Sequence, residues 1–346
     1  FCSADYDLEA LGQEMNIQFA GIQVIGCTTA GEIGPAGYLE HSISGASFPA
    51  SHFTAVCDCL ENLAQFTIAN GQNFAKALMK RLEGLTPQAL PENSFAFLMT
   101  DGLSVREEQV TRALQSTLGQ LPLIGGSAGD GFDFEQTHVF FDGRFRTDCA
   151  VLALLTTSLP FQLFETHHFV ATEERLVVTQ ADPSQRTVKE INGLPAAWEY
   201  ARVLGIQVRD LNPEIYSARP VVVLINGESY VRSIQKATPD GGLKFYCAIE
   251  NGLILRVAKG VKLLANLEQT FADIHRDIGH PQLILGCDCL LRRVEVFQSP
   301  DKEQVISLLL RNNTTGFGTY GEQFRGTHLN QTLTGVAIAY EPGRGG

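Results

Sequence analysis

The chain is short of positive charge: 26 Lys and Arg residues stand against 38 Asp and Glu, a formal net charge of −12. Clustered cations hold a nucleic-acid backbone, so nucleic acid is excluded as the expected partner. No run of like charges forms a tail for a membrane surface or an acidic partner. Long hydrophobic runs are missing too. The most apolar stretches, Ala150–Leu155, Val221–Ile225 and Leu283–Leu285, fall far short of the roughly 20 residues a membrane-crossing helix needs, and no membrane insertion is expected. Cysteine is sparse, with eight in 346 residues, mostly inside apolar runs. That pattern suits reduced thiols and a cytoplasmic location better than a disulfide framework. The chain starts at Phe1 rather than methionine, which reads as a trimmed or partly ordered N-terminus with any targeting peptide out of view.

Catalytic signatures are absent as well. There is no His-Glu-x-x-His, no Gly-Lys-Ser/Thr after a glycine loop, no G-x-G-x-x-G fingerprint and no Cys-x-x-Cys-His, which argues against zinc hydrolysis, a P-loop, a dinucleotide site and covalent haem attachment. Gly125-Gly126-Ser127-Ala128-Gly129 only imitates a nucleophile elbow, because no clear helix follows Ser127. Glu107-Glu108 and Glu173-Glu174 read as solvated surface charges. Cys27 and Cys287 stay open as thiol nucleophiles, a role that needs a lowered thiol pKa.

What is present is a mixture of short β-branched or aromatic runs and amphipathic stretches. Strands are predicted at Ser94–Thr100, Cys149–Thr156, Val221–Ile225, Ser229–Ile234, Val294–Phe297 and Thr334–Tyr340, among others. Helices are predicted at Asn73–Leu82, Val105–Leu118, Ala196–Leu204 and Val261–His275. The expected fold class is α/β, or mixed α+β: two domains, 1–190 and 191–346, with mixed β-sheets flanked by helices. The turn signal Asp182-Pro183-Ser184 lies near that boundary. No repeat at solenoid period is visible.

Several segments could carry binding. Gly26-Cys27-Thr28-Thr29-Ala30-Gly31-Glu32 follows a predicted strand, and four glycines crowd Gly125 to Gly131. Such loops let a backbone approach a ligand closely, or simply turn tightly. Gly125 and Gly126 are therefore candidate ligand contacts. Tyr230, Arg232 and Ile234 share one strand face, which makes Arg232 a candidate anchor for a carboxylate and Tyr230 its neighbour. Cys287-x-Cys289 reads as small buried residues rather than a zinc pair. His138 opens a strand and His168 lies in the aromatic Phe164-Glu165-Thr166-His167-His168-Phe169; a histidine among aromatics suits either a structural role or axial ligation of haem iron.

Three motifs resemble a known family. Gly26-Cys27-Thr28-Thr29-Ala30-Gly31-Glu32-Ile33 resembles the opening motif of the FIST N domain. Leu123-Ile124-Gly125-Gly126-Ser127-Ala128-Gly129-Asp130 resembles its second glycine loop. Gly316-Phe317-Gly318-Thr319-Tyr320-Gly321-Glu322-Gln323 with Asn330-Gln331-Thr332-Leu333-Thr334 resembles the close of the FIST C domain. The resemblance implies a signal-transduction sensor of a small ligand rather than an enzyme. Tyr230-Val231-Arg232-Ser233-Ile234, the segment around Cys247 and the segment from Asp288 to Glu295 are similar to the NosP branch of nitric-oxide-sensing haem proteins. That branch implies haem held by His168 or His138. It also implies a partner histidine kinase or cyclic-di-GMP enzyme, either a diguanylate cyclase or a phosphodiesterase. Tyr230, Cys247 and Asp288 enter the expected ligand site on the same ground. The alternative is an organic ligand such as an amino acid, without haem. A homodimer is left open.

Overall fold

The computed structural model describes residues 1–225 and 227–340. Two six-stranded sheets lie face to face, each covered on its outer side by helices. In the first, the strands run in the order Thr327–Leu329, Glu322–Phe324, Leu123–Ser127, Ser94–Thr100, Cys149–Thr157 and Phe53–Glu61. Strand periodicity sorts its side chains. Ala96, Leu98, Leu152 and Leu154 face helices Ile68–Leu85 and Glu107–Leu118, while Phe95, Phe97, Val151 and Ala153 face the other sheet. That second sheet runs Phe161–Glu165, Leu333–Ala339, Pro281–Cys289, Thr314–Thr319, Glu32–Gly34 and Gly37–Leu39. It gives Leu285, Val336 and Ile338 to the shared core and Ile284 and Ala337 to helices Leu263–Ile278 and Lys302–Arg311. The fold class is mixed α/β, as expected.

The halves of the chain exchange hairpins. Glu32–Gly34 and Gly37–Leu39 complete the sheet whose centre is C-terminal strands and whose other edge is Phe161–Glu165, and Glu322–Phe324 with Thr327–Leu329 completes the sheet of N-terminal ones. The hinge of the exchange is a four-residue pattern present three times: Thr29-Ala30-Gly31-Glu32, Ser127-Ala128-Gly129-Asp130 and Thr319-Tyr320-Gly321-Glu322. The copies interlock through their backbones. Ala30 N–H donates to Gly318 C=O at 2.8 Å, Gly129 N–H to Thr28 C=O at 3.0 Å and Ser127 N–H to Gly321 C=O at 2.9 Å. In two copies the buried Glu is held alike. Glu32 accepts from the Thr29 and Ser42 hydroxyls, and Glu322 from the Thr319 and Thr332 hydroxyls.

A further sheet closes on itself beside this sandwich. Its strands run Glu228–Arg232, Val221–Ile225, Ile254–Gly260, Phe169–Asp182, Thr187–Ile191, Leu243–Phe245 and Ile234–Ala237. Only Ser233 separates the first of these from the last in the chain, so one strand bent at Ser233 lies on both edges.

Two expectations are corrected. Val294–Phe297 lies in helix Leu290–Gln298. Leu290, Leu291 and Val296 are buried on it, and Arg292 reaches back four residues to Asp288, a helical spacing that the apolar run masked. Glu107 is not a solvated charge: it opens helix Glu107–Leu118 with its side chain buried. Among the described residues no helix is long and apolar enough to cross a membrane.

Candidate functional site

The exchanged hairpin brings a polar cluster to the seam between the sandwich and the closed sheet. Helix Glu107–Leu118 and the bent strand at Arg232-Ser233 both pack on strand Thr327–Leu329. The loop after that strand ties down the bend. Ser233 N–H donates to Asn330 Oδ1 at 3.4 Å and its hydroxyl to Gln331 Oε1 at 3.3 Å, while Gln331 Nε2 donates to Ser217 C=O at 2.8 Å. Glycine is needed at position 321 because any Cβ there would run into the His328 imidazole and lie 3.1 Å from Asn330 Nδ2. These two side chains therefore flank one spot.

The proton positions follow from the bonds. Gln323 Nε2 donates to the Ser127 hydroxyl at 2.9 Å and the Gly321 carbonyl at 3.2 Å, and the carbonyl, which can only accept, fixes its amide; the same nitrogen lies 3.2 Å from His328 Nδ1. An amide NH2 cannot accept a hydrogen bond, so Nδ1 carries no proton facing it and the neutral ring carries its proton on Nε2. Burial pushes the His328 pKa down to about 4, against the raising effect of Glu108 and with help from Arg186 and Arg232. His328 Nε2, Asn330 Nδ2 and Arg232 Nε are all buried without a hydrogen-bond partner, and so is Gln323 Oε1. Among the described residues Arg232 makes no ion pair. A buried polar atom left unpaired costs about 1–3 kcal/mol unless water or another partner reaches it, and four such atoms belong to this cluster.

A charged clasp borders the cluster. Arg186 donates to Glu107 Oε2 and Glu108 Oε2, both at 2.5 Å, and to Tyr246 C=O at 2.6 Å. Glu108 also accepts from Ala248 N–H at 2.6 Å. Cys247, between Tyr246 and Ala248, is fully buried; burial pushes its thiol up to about 11 while nearby Arg232 draws it down.

Of the residues singled out in the sequence, Arg232 and Cys247 thus meet at the seam. Gly125 and Gly126 lie in strand Leu123–Ser127, paired with Gln323 and Glu322. The space a Cβ would fill is taken by the Leu98 backbone and by Thr319 and Phe317, so these glycines serve strand packing. Tyr230 turns its hydroxyl to Glu228 at 3.1 Å. Asp288 is committed to a buried pair with Arg292 at 2.8 Å and takes the Tyr38 hydroxyl at 2.5 Å. Gln323 and Asn330 were visible only as members of the closing motif, and His328, which lies between its two parts, carried no signal.

The two histidines do not fit a haem. Both carboxylate oxygens of Glu295 clasp His168 Nε2, the shorter contact 2.8 Å, and the side chain is 1% exposed, so the ring has no open face for iron. His138 leaves Nδ1 buried and unpartnered, but its charged neighbours are Asp101 and Asp130, an acidic setting rather than the apolar slot a dianionic porphyrin requires. Burial pushes the Cys27 and Cys287 thiols up, the opposite of what a nucleophilic cysteine needs.

The molecule is two interlocked α/β halves, with the polar cluster where the exchanged hairpin meets the closed sheet. The family follows from comparison. The FIST N domain model matches residues 1–194 and the FIST C domain model residues 196–325, so the chain belongs to the FIST family, whose domains are signal-transduction sensors of small ligands. It is also similar to an uncharacterized protein of Methanocaldococcus jannaschii, 25% identical over 184 residues. That alignment covers 52% of this chain and 35% of the relative, so the chain spans about a third of the relative's length. No solved structure matches the chain.

Proposed function

We propose that this chain is the input module of a signalling system and holds its small ligand at the seam lined by Arg232, His328 and Asn330. The observation that carries this reading is the set of buried, unpartnered polar atoms shared between the closed sheet and the exchanged hairpin. A ligand that completes them favours the arrangement in which bend and hairpin are drawn together, and a histidine kinase or cyclic-di-GMP enzyme reads the shifted population. A thermal-shift screen of metabolites tests it. A ligand at 100 times its Kd adds about 2.7 kcal/mol of stability, and the expected result is a hit whose stabilisation disappears in Arg232→Met. Hits unaffected by that change, or none at all, would sink the seam as the sensor site. Protein from haem-supplemented cells is expected to lack a stoichiometric Soret band. A band that shifts with nitric oxide and is lost in His138→Ala would restore the haem reading.

A further inference from the structure

Away from the seam, we propose that Cys59 and Cys149 form a peroxide-reactive thiol pair, in which Cys59 is oxidised first and Cys149 then closes a disulfide onto it. The two lie on neighbouring strands of the first sheet, Phe53–Glu61 and Cys149–Thr157. In their antiparallel register Cys149 stands opposite Glu61, and Cys59 opposite Val151. The cysteines are therefore diagonal neighbours whose side chains leave the same face of the sheet. The Cys149 thiol reaches the Cys59 sulfur as a hydrogen-bond donor. Its other acceptor is Arg146 C=O, 3.7 Å away.

Cys59 differs from the rest of the cysteines. The other seven are buried, and Cys59 alone is partly exposed. Burial pushes the Cys2, Cys57 and Cys247 thiols up to about 11 and raises Cys27, Cys287 and Cys289 as well. Cys59 is drawn down instead, first by the hydrogen from Cys149 and then, against burial, by the Arg146 guanidinium; Glu61 and Asp58 offset part of that pull. Thiolate character and access decide which cysteine a peroxide oxidises. The Cys59 sulfur attacks one oxygen of hydrogen peroxide. The S–O bond forms, the O–O bond breaks, and the departing hydroxide leaves as water with the thiol proton. The Cys149 sulfur then attacks the Cys59 sulfenic acid. The S–S bond forms, the S–O bond breaks, and the Cys149 proton leaves with that hydroxide as a second water. The two thiols lose two electrons, and the peroxide gains them. Diagonal positions lie slightly beyond the usual Cα spacing of a disulfide. Phe53–Glu61 is an edge strand, paired on one side only, so it can shift to close that difference.

Peptide mapping of the whole chain tests the pair. The reduced protein, freed of reductant, is treated at pH 7 with one equivalent of hydrogen peroxide, blocked with iodoacetamide and cut before aspartate. Cys59 is then the only cysteine of Asp58–Thr100, and Cys149 the only one of Asp148–Ala181. The expected result is that a disulfide joins these two peptides. In Cys149→Ser, dimedone should capture a sulfenic acid on Asp58–Thr100. Without peroxide, iodoacetamide should label Cys59 of the unsubstituted chain at least about tenfold faster than Cys57, and Arg146→Met should slow that labelling several-fold. The comparison of Cys59 with Cys57 needs no variant, so it decides the matter even if Cys149→Ser fails to fold. Equal labelling of Cys59 and Cys57, or oxidation that falls first on another cysteine, overturns the inference. A sulfenic acid that persists on Cys59 of the unsubstituted chain, with no crosslink, overturns the role of Cys149.

Discussion

Arg186→Met is expected to cost about 3–5 kcal/mol of stability, the usual result of removing one partner from a buried ion pair. Arg186 is 6% exposed at the side chain and Glu107 2%, so neither charge can turn to water when the other is removed. One guanidinium answers two carboxylates 79 and 78 residues away and a backbone carbonyl besides. Burial already pushes the Glu107 carboxyl up to about 7, with Arg186 drawing it down. Without the arginine it rises further, and Glu107 buries a proton or an unanswered charge. Denaturant unfolding at pH 7, followed by Trp198 fluorescence and by circular dichroism, measures the loss. Arg186→Met combined with Glu107→Leu should recover a large part of it, because an apolar pair of similar volume replaces the ionic one without desolvating charge. A single variant within about 1 kcal/mol of the parent would show that the clasp is spectator to the fold. The clasp joins helix Glu107–Leu118 of the sandwich to the turn before strand Thr187–Ile191 of the closed sheet, so it also holds the two sides of the seam together.

The clasp shows where sequence reading stopped. A pair of glutamates at the head of an amphipathic helix looks solvated, and no local pattern reveals a partner 79 residues on. Strand Ser94–Thr100, buried along its whole length, was legible because a continuous apolar run is its own signal, and Val221–Ile225 and the amphipathic helix Ala196–Leu204 also have the expected bounds. Strand Phe169–Asp182 was not. Glu173, Glu174 and Arg175 break its pattern where the register shifts against Ile254–Gly260, and a bulged strand has no clean period of two. The site was half legible. Arg232 stood out from the alternation of its strand, whereas His328 is one histidine without a neighbouring pattern and gains meaning only when the hairpin crosses to the other sheet. The exchange itself is written in the three Thr/Ser-x-Gly-Glu/Asp copies. Their spacing matches no solenoid, and what they share is a buried acid beside a hydroxyl rather than an apolar period.

One of those acids sets the pH response. Glu322 is fully buried and accepts from the Thr319 hydroxyl, from the Thr332 hydroxyl at 2.8 Å and from Thr332 N–H at 3.3 Å. Burial pushes its carboxyl up to about 8, and the hydrogen bonds draw it only partly back. Its pKa in the unfolded chain is about 4.3. The native state therefore keeps a proton that the unfolded state releases, and the stability contributed by neutral Glu322 is fully present below the unfolded pKa and lost as pH rises toward about 8. In that window the slope for one group is about 1.4 kcal/mol per pH unit. Glu322→Gln carries no titrating proton while keeping size and an acceptor. The stability of the parent relative to this variant, from unfolding curves at several pH values between about 5 and 8, should decline steadily with pH; parallel curves would mean that Glu322 is ionised throughout. Taking the difference removes the opposite trend from paired surface acids such as Asp273, whose carboxyl is held down by Arg276. Glu322 lies between Gly321, which makes room for His328 and Asn330, and Gln323, which fixes the imidazole tautomer. Charging it pulls on the turn that holds His328 and Asn330, so a ligand held at the proposed seam should bind more weakly as pH rises toward about 8 in the parent and not in Glu322→Gln.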